Sequence, residues 1–200
     1  MVYVALLRGV NVGGKNKVEM ARLKEVFVAA GFGDVRTFIN SGNVVFTADA
    51  RETEVIGAEI EKAIESEFGF EVKVLVKDAD EMAAITAAIP ENWVDDKTMR
   101  TYVMFLWTGL DAPSIVDDLP LKDGIDNVIN VAGAIIWQVE RRHVTKSGMN
   151  RMASGPIYKS MTVRNANTVR KLTAMVAELI EYPRTARRMI RAVVTVTVVP

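Results

Sequence analysis

The chain predicts an α+β protein of two ferredoxin-like subdomains, each an antiparallel sheet of β-α-β-β-α-β type. The first 76 residues carry strand and helix signals in that order, and a similar pattern restarts after a polar stretch near residue 95. The composition supports a core, with 50% hydrophobic and 25% charged residues, which is too apolar for an extended disordered chain.

The run VYVALL (2–7) is short, apolar and rich in β-branched residues, which reads as a strand. In VEMARLKEVFVAAGF, Met20, Leu23, Val26 and Phe27 recur at helical spacing and Gly31 stops the run. Two β-rich runs then flank Ser41-Gly42-Asn43, a hairpin signal. In ETEVIGAEIEKAIESEFGF, Val55, Ile56, Ile60 and Ile64 form one expected helical stripe that ends at Gly69, and EVKVLV (71–76) reads as the next strand. A helix over 78–89, opened by an acidic capping residue, runs into Pro90 and the polar stretch PENWVDDKTMR. These signals divide the chain into an expected first subdomain (1–95), a second (96–182) and a tail (183–200).

In the second part RTYVMFLWTGL resembles the opening strand, and VINVAGAIIWQV (128–139) repeats the Ile-Asn, Gly-turn, apolar-strand order of residues 38–48. A polar stretch follows. A helix is then expected with Val169, Leu172, Val176 and Leu179 buried and Asn165 or Asn167 as its N-cap. The alternating Val and Thr near the C-terminus read as a docked edge strand or an exposed tail.

Composition also narrows the chemistry. With no cysteine there is no disulfide, thiolate nucleophile or cysteine-built zinc site. The one histidine, His143, sits among Arg141, Arg142 and Lys146 and reads as a solvated loop residue rather than a catalytic base, and no metal site is expected. The opening apolar run is short and interrupted by Arg8, and no segment reaches bilayer length, so a cytoplasmic protein with no membrane partner is expected. The zero net charge hides an asymmetry, because residues 141–200 hold 12 Lys and Arg but only Glu178 and Glu181 as acids. No G-x-S-x-G elbow and no aromatic RNA-recognition motif is present, and no catalytic residue or cofactor is assigned. The three tryptophans, Trp93, Trp107 and Trp137, read as core or subdomain-interface residues.

Two stretches carry candidate ligand contacts. In LLRGVNVGGKNKVEM, Gly13 and Gly14 permit tight turns, Arg8, Lys15 and Lys17 bring positive charge, and the following helix offers unpaired N–H groups. The Walker pattern is absent because Asn16 follows Lys15, so a Gly-rich connection with solvated lysines is the alternative. In TVRNANTVRK, Arg164, Asn165, Asn167 and Thr168 gather hydrogen-bonding groups at a helix start, with Tyr158 and Lys159 just upstream; a simple helix cap is the alternative. The expected ligand is a small phosphate- or carboxylate-bearing molecule or a nucleotide. Arg8, Lys15, Lys159 and Arg164 would meet its charge, Gly13 and Gly14 would allow backbone approach, and Asn11, Asn165 and Asn167 would orient it. The other readings are a nucleic-acid module using the basic C-terminal third, or a non-catalytic homo-oligomeric interaction protein.

Three motifs resemble a bacterial family of uncharacterised proteins, domain of unknown function 1697: LLRGVNVGGKNKVEM, then FINSGNVVF, then TVRNANTVRKL, in that order. Members often carry Trp where this chain has Ala166. The resemblance runs to about Ile180 and implies two ferredoxin-like subdomains but no activity.

Overall fold

The computed structural model describes residues 1–14, 16–107, 109–110, 112–153 and 155–194, and within these the backbone alone at 112–114, 153, 156 and 182–194. Among the described residues two four-stranded antiparallel sheets account for the strands. The first holds β1 (Val2–Leu7), β2 (Gly33–Phe38), β3 (Asn43–Thr47) and β4 (Val74–Asp78) in the order β2-β3-β1-β4. The second holds β5 (Met99–Leu106), β6 (Asp126–Val131), β7 (Ala134–Glu140) and β8 (Met161–Asn165) in the order β6-β7-β5-β8. Matching the strands in chain order gives one spatial arrangement twice, so the chain is two ferredoxin-like subdomains.

Strand alternation sorts the side chains into layers. On the outer face of the first sheet, Tyr3, Ala5, Leu7, Val44, Phe46, Val74 and Val76 pack under α1 (Met20–Ala29) and α2 (Thr53–Phe68). On its inner face, Val2, Val4, Leu6, Val45 and Leu75 meet α3 (Ala79–Ala87) and α6 (Ala166–Val194). The inner face of the second sheet, built from Val103, Phe105, Ala134 and Ile136, closes on the same two helices. Its outer face, with Met104, Leu106, Ile135 and Trp137, lies under α4 (Ala112–Asp117) and α5 (Met149–Ala153). The helix pair α3 and α6 therefore fills a central layer shared by both sheets, which makes the two subdomains one hydrophobic unit.

The repeat extends to individual side chains. Register pairs Leu7 with Val74 in one sheet and Leu106 with Met161 in the other, so β4 and β8 correspond and Lys77 matches Arg164. The next residues, Asp78 and Asn165, cap the helices that follow: Asp78 accepts from the Glu81 amide (2.8 Å) and Asn165 from the Thr168 amide (2.7 Å). At the hairpins, Gly42 (φ 70°) and Gly133 (φ 76°) take the left-handed turn, and their carbonyls accept from Leu7 and Leu106 at 2.8 and 2.9 Å.

The subdomains differ in their second crossover. In the first it is the 16-residue helix α2. In the second it is the irregular run of residues 141–160, with 3-10 turns Arg141–His143 and Pro156–Ser160 around α5. Asp126 holds this run in place, accepting from the amides of Lys122 and Gly148, the Trp137 indole and the Ser147 hydroxyl. Burial raises the Asp126 pKa, but these donors together outweigh it and hold the carboxyl below its ordinary value. Gly148 is required there, because an added Cβ would lie 1.9 Å from the Pro120 carbonyl oxygen.

Three expectations shift in detail. Val55 is 54% exposed, off the α2 stripe that Ile56, Ile60 and Ile64 bury. The fourth strand begins at Val74 rather than residue 71, where the register with β1 starts. Residues 183–194, expected as part of a tail, continue α6, and most of the alternating Val and Thr, read as an edge strand or an exposed tail, lies at 195–200, outside the described residues. The expected stripe of α6 is buried at Val169, Leu172, Val176 and Leu179.

Candidate functional site at the seam between the subdomains

The two polar stretches meet. Arg8 follows β1 and crosses to the second subdomain, its Nε donating to the Met161 carbonyl (3.1 Å) and its Nη2 to the Tyr158 carbonyl (3.3 Å). Its guanidinium carbon lies 5.7 Å from the Tyr158 ring centroid, a cation–π approach. Arg8 is half-buried, and two of its donor atoms grip the carbonyls on either side of the exposed Lys159.

Arg164 makes the reciprocal crossing from β8 into the first subdomain. Its Nε donates to Asn43 Oδ1, its Nη1 to Thr162 Oγ1 (3.0 Å) and the Val163 carbonyl (2.8 Å). Its Nη2 donates to the carbonyls of Leu7 (2.7 Å), Ser41 (3.1 Å) and Gly42 (3.3 Å). A guanidinium has five N–H groups, and these six acceptors engage all of them. Burial lowers its pKa to about 10, which still leaves it charged at neutral pH. The expectation of Arg164 as an anion contact is therefore corrected: its charge is satisfied by carbonyl dipoles of both subdomains, and it acts as an internal bolt.

The remaining candidate residues divide in the same way. Asn11, at φ 56°, uses its side chain to close its own loop, donating to the carbonyls of Val18 and Asn40 (2.8 Å each) and accepting from the Val18 amide. Asn165 is the cap of α6, and the exposed Asn167 donates to the Asp95 carbonyl (2.8 Å). Gly13 and Gly14 are exposed at φ 60° and 74°, and Lys15 lies outside the described residues. The helix that was expected to supply free amides begins only at Met20, and its N-cap is the acidic Glu19, which repels an anion at that end. Beside this loop an open depression of about 520 Å³ is lined by Asn11, Gly14, Lys17, Val18, Glu19, Met20 and Asn40. Ile39 on the neighbouring turn is 50% exposed at φ 49°, a strained conformation for a β-branched residue.

The basic C-terminal third is also less free than its composition suggests. Arg170 donates to the carbonyls of Trp93 (3.1 Å) and Pro90 (2.9 Å), and Arg141 reaches Asp95 and the Asp96 carbonyl. Like Arg164, these are tethers between segments. Among the described residues no group of three His, Asp or Glu side chains is placed to hold a metal, and no helix is long and apolar enough to cross a membrane.

Sequence reading missed Asn43 and Lys77. Asn43 is a buried polar residue at the head of the apolar run 44–46, which was the available signal, and Lys77 is a lysine at the inward position of β4.

A conserved bacterial protein, SP0830 from Streptococcus pneumoniae, has a solved structure that superposes with a TM-score of 0.73 at 29% identity, over 88% of this chain and 98% of that one. No curated protein matches. The family model described as protein of unknown function (DUF1697) matches residues 1–137, a span that holds the Gly-rich loop, the Ser41-Gly42-Asn43 hairpin and most of the second sheet, and the chain belongs to that family.

Proposed function

We propose that the protein binds a small anionic ligand, bearing a phosphate or carboxylate, at the mouth of the seam where Arg8 meets residues 158–161. The observation that carries this reading is the anchoring of Arg8 through Nε and Nη2 to the carbonyls bracketing Lys159. A guanidinium fixed in this way keeps its Nη1 donors for a partner, and its rigidity lowers the entropic cost of binding. Lys159 is exposed between the residues whose carbonyls Arg8 holds, and Gly13 and Gly14 in the loop after Arg8 carry no side chain. The bound species is stabilised by charge-assisted hydrogen bonds rather than by apolar burial.

Thermal denaturation in increasing inorganic phosphate, pyrophosphate and mononucleotides tests it. At a ligand concentration about one hundred times Kd the fold gains about 2.7 kcal/mol, and the melting temperature rises with concentration. Arg8→Gln with Lys159→Gln abolishes the rise while the double variant still unfolds cooperatively. A rise that persists in that variant, or no rise with any of these anions, rejects the reading.

A further inference from the structure

The internal repeat gives the Arg8 seam a counterpart elsewhere in the molecule. Arg8 directly follows β1 and its amide bonds the Lys73 carbonyl (2.8 Å); Trp107 directly follows β5 and its amide bonds the Ser160 carbonyl (3.3 Å). Trp107 is thus the counterpart of Arg8, and Val74, at the start of edge strand β4, is the counterpart of Met161. At the first seam Arg8 fills the space and donates to the outward carbonyl of Met161. At the second seam Trp107 supplies an aromatic wall and no cation, and a cleft of about 220 Å³ remains against the edge of β4.

The lining of that cleft has the opposite polarity to the first seam. Glu54 and Glu61 of α2 stand along it, Gly57 and Ala58 keep its floor low, and Val74 carries its backbone there. The Val74 carbonyl lies 3.1 Å from where a Cβ on Gly57 would stand, so a side chain there would crowd that carbonyl. We propose that this cleft binds a free alkylguanidinium, seated over Trp107 and donating to the Val74 carbonyl and the Glu61 carboxylate. The chain itself displays the pattern at the first seam: a guanidinium, an aromatic ring and the outward carbonyl that opens the edge strand. A planar fork suits a carboxylate beside a carbonyl, and an indole face stabilises the cation.

A free small molecule fits better than an added peptide strand. The outward amide of Val74 is already taken by Glu61 Oε1 (2.9 Å), so a strand pairing along β4 would meet no donor at that position. Glu61 also pairs with Lys73 (2.9 Å), whose side chain is 61% exposed, so Lys73 competes with the ligand for this carboxylate. The site is separate from the anion site at Arg8, and either can fail without the other.

Agmatine, a free alkylguanidinium, is the probe, titrated into the full chain while the indole N–H resonance of Trp107 is followed, assigned by its loss in Trp107→Phe. The expected result is a saturable shift of that resonance. Glu61→Gln keeps the acceptor for the Val74 amide and weakens binding about tenfold, as loss of one charged partner predicts. Lys73→Met tightens it. No saturable shift in a folded protein overturns the proposal, as does equal affinity in Glu61→Gln. Tighter binding of a capped arginine tripeptide than of agmatine overturns the choice of a free ligand.

Discussion

The Arg8 seam and the Trp107 cleft are built from corresponding strands, yet one is closed by the chain's own cation and the other stays open beside two carboxylates. The difference arises in the second crossover. In the first subdomain α2 runs as a regular helix with the buried Gly57 against β4, and a shallow channel remains beside it. In the second subdomain the run 141–160 folds irregularly around Asp126 and delivers Tyr158 to the ring position above Arg8. Equal frames thus acquire different linings from the segment laid across them.

The comparison is most severely tested at the inward cations, Arg164 and Lys77. Arg164→Met leaves the carbonyls of Leu7 and Ser41 and Oδ1 of Asn43 without their donor, while the Gly42 carbonyl keeps the Leu7 amide. At about 1–3 kcal/mol for each buried acceptor left unpaired, the loss measured by urea unfolding is at least about 3 kcal/mol. The counterpart Lys77→Met removes an ion pair with the part-exposed Glu81 (2.6 Å) and leaves fewer orphans, so its loss is about 1 kcal/mol. Equal losses would mean that the two crossings are interchangeable after all.

Asp126 supplies the next contrast, since only the second subdomain depends on a carboxylate for its crossover. Its folded pKa lies below the ordinary 3.8, so its contribution is present above the unfolded value and is lost as the pH falls through the folded one. Asp126→Asn costs about 2 kcal/mol at pH 7 and reduces the fall in stability below about pH 4, read from denaturant midpoints across that range. An acid limb unchanged in the variant would remove Asp126 from this role.

The smallest effect checks the repeat itself. Asp78→Ala and Asn165→Ala each remove an N-cap at corresponding positions, and each lowers stability by about 1 kcal/mol in the same unfolding measurement. A large loss from one and none from the other would show that the two helix starts no longer play the same part.

Much of this frame was legible in the sequence. The apolar, β-branched run VYVALL, the stripe of Leu23, Val26 and Phe27, and the Gly-centred hairpins are local signals that survive burial, and they point to strands in both sheets, but β8 lies in the stretch read only as polar. The candidate site was legible only as a juxtaposition of polar types. Nothing local separates an arginine that grips carbonyls from one that faces solvent, and Arg8, Arg164 and Arg170 differ only in what the opposite subdomain presents to them. The cleft at Trp107 had no local signal, because its walls come from α2, β4 and the end of β5. Val55 was misplaced because a hydrophobic residue next to Ile56 falls just off the buried arc of a helix.

The central layer of α3 and α6 has a consequence for how the fold is held together. Were the two halves separate polypeptides, this layer would form by association, and folding would depend on protein concentration. Joined by one linker, each half meets the other at a fixed effective concentration and the layer closes as an intramolecular event. Covalent joining also releases the halves from identity: in a true homodimer any substitution strikes both seams at once, whereas in one chain an arginine can bridge one while a tryptophan lines the other.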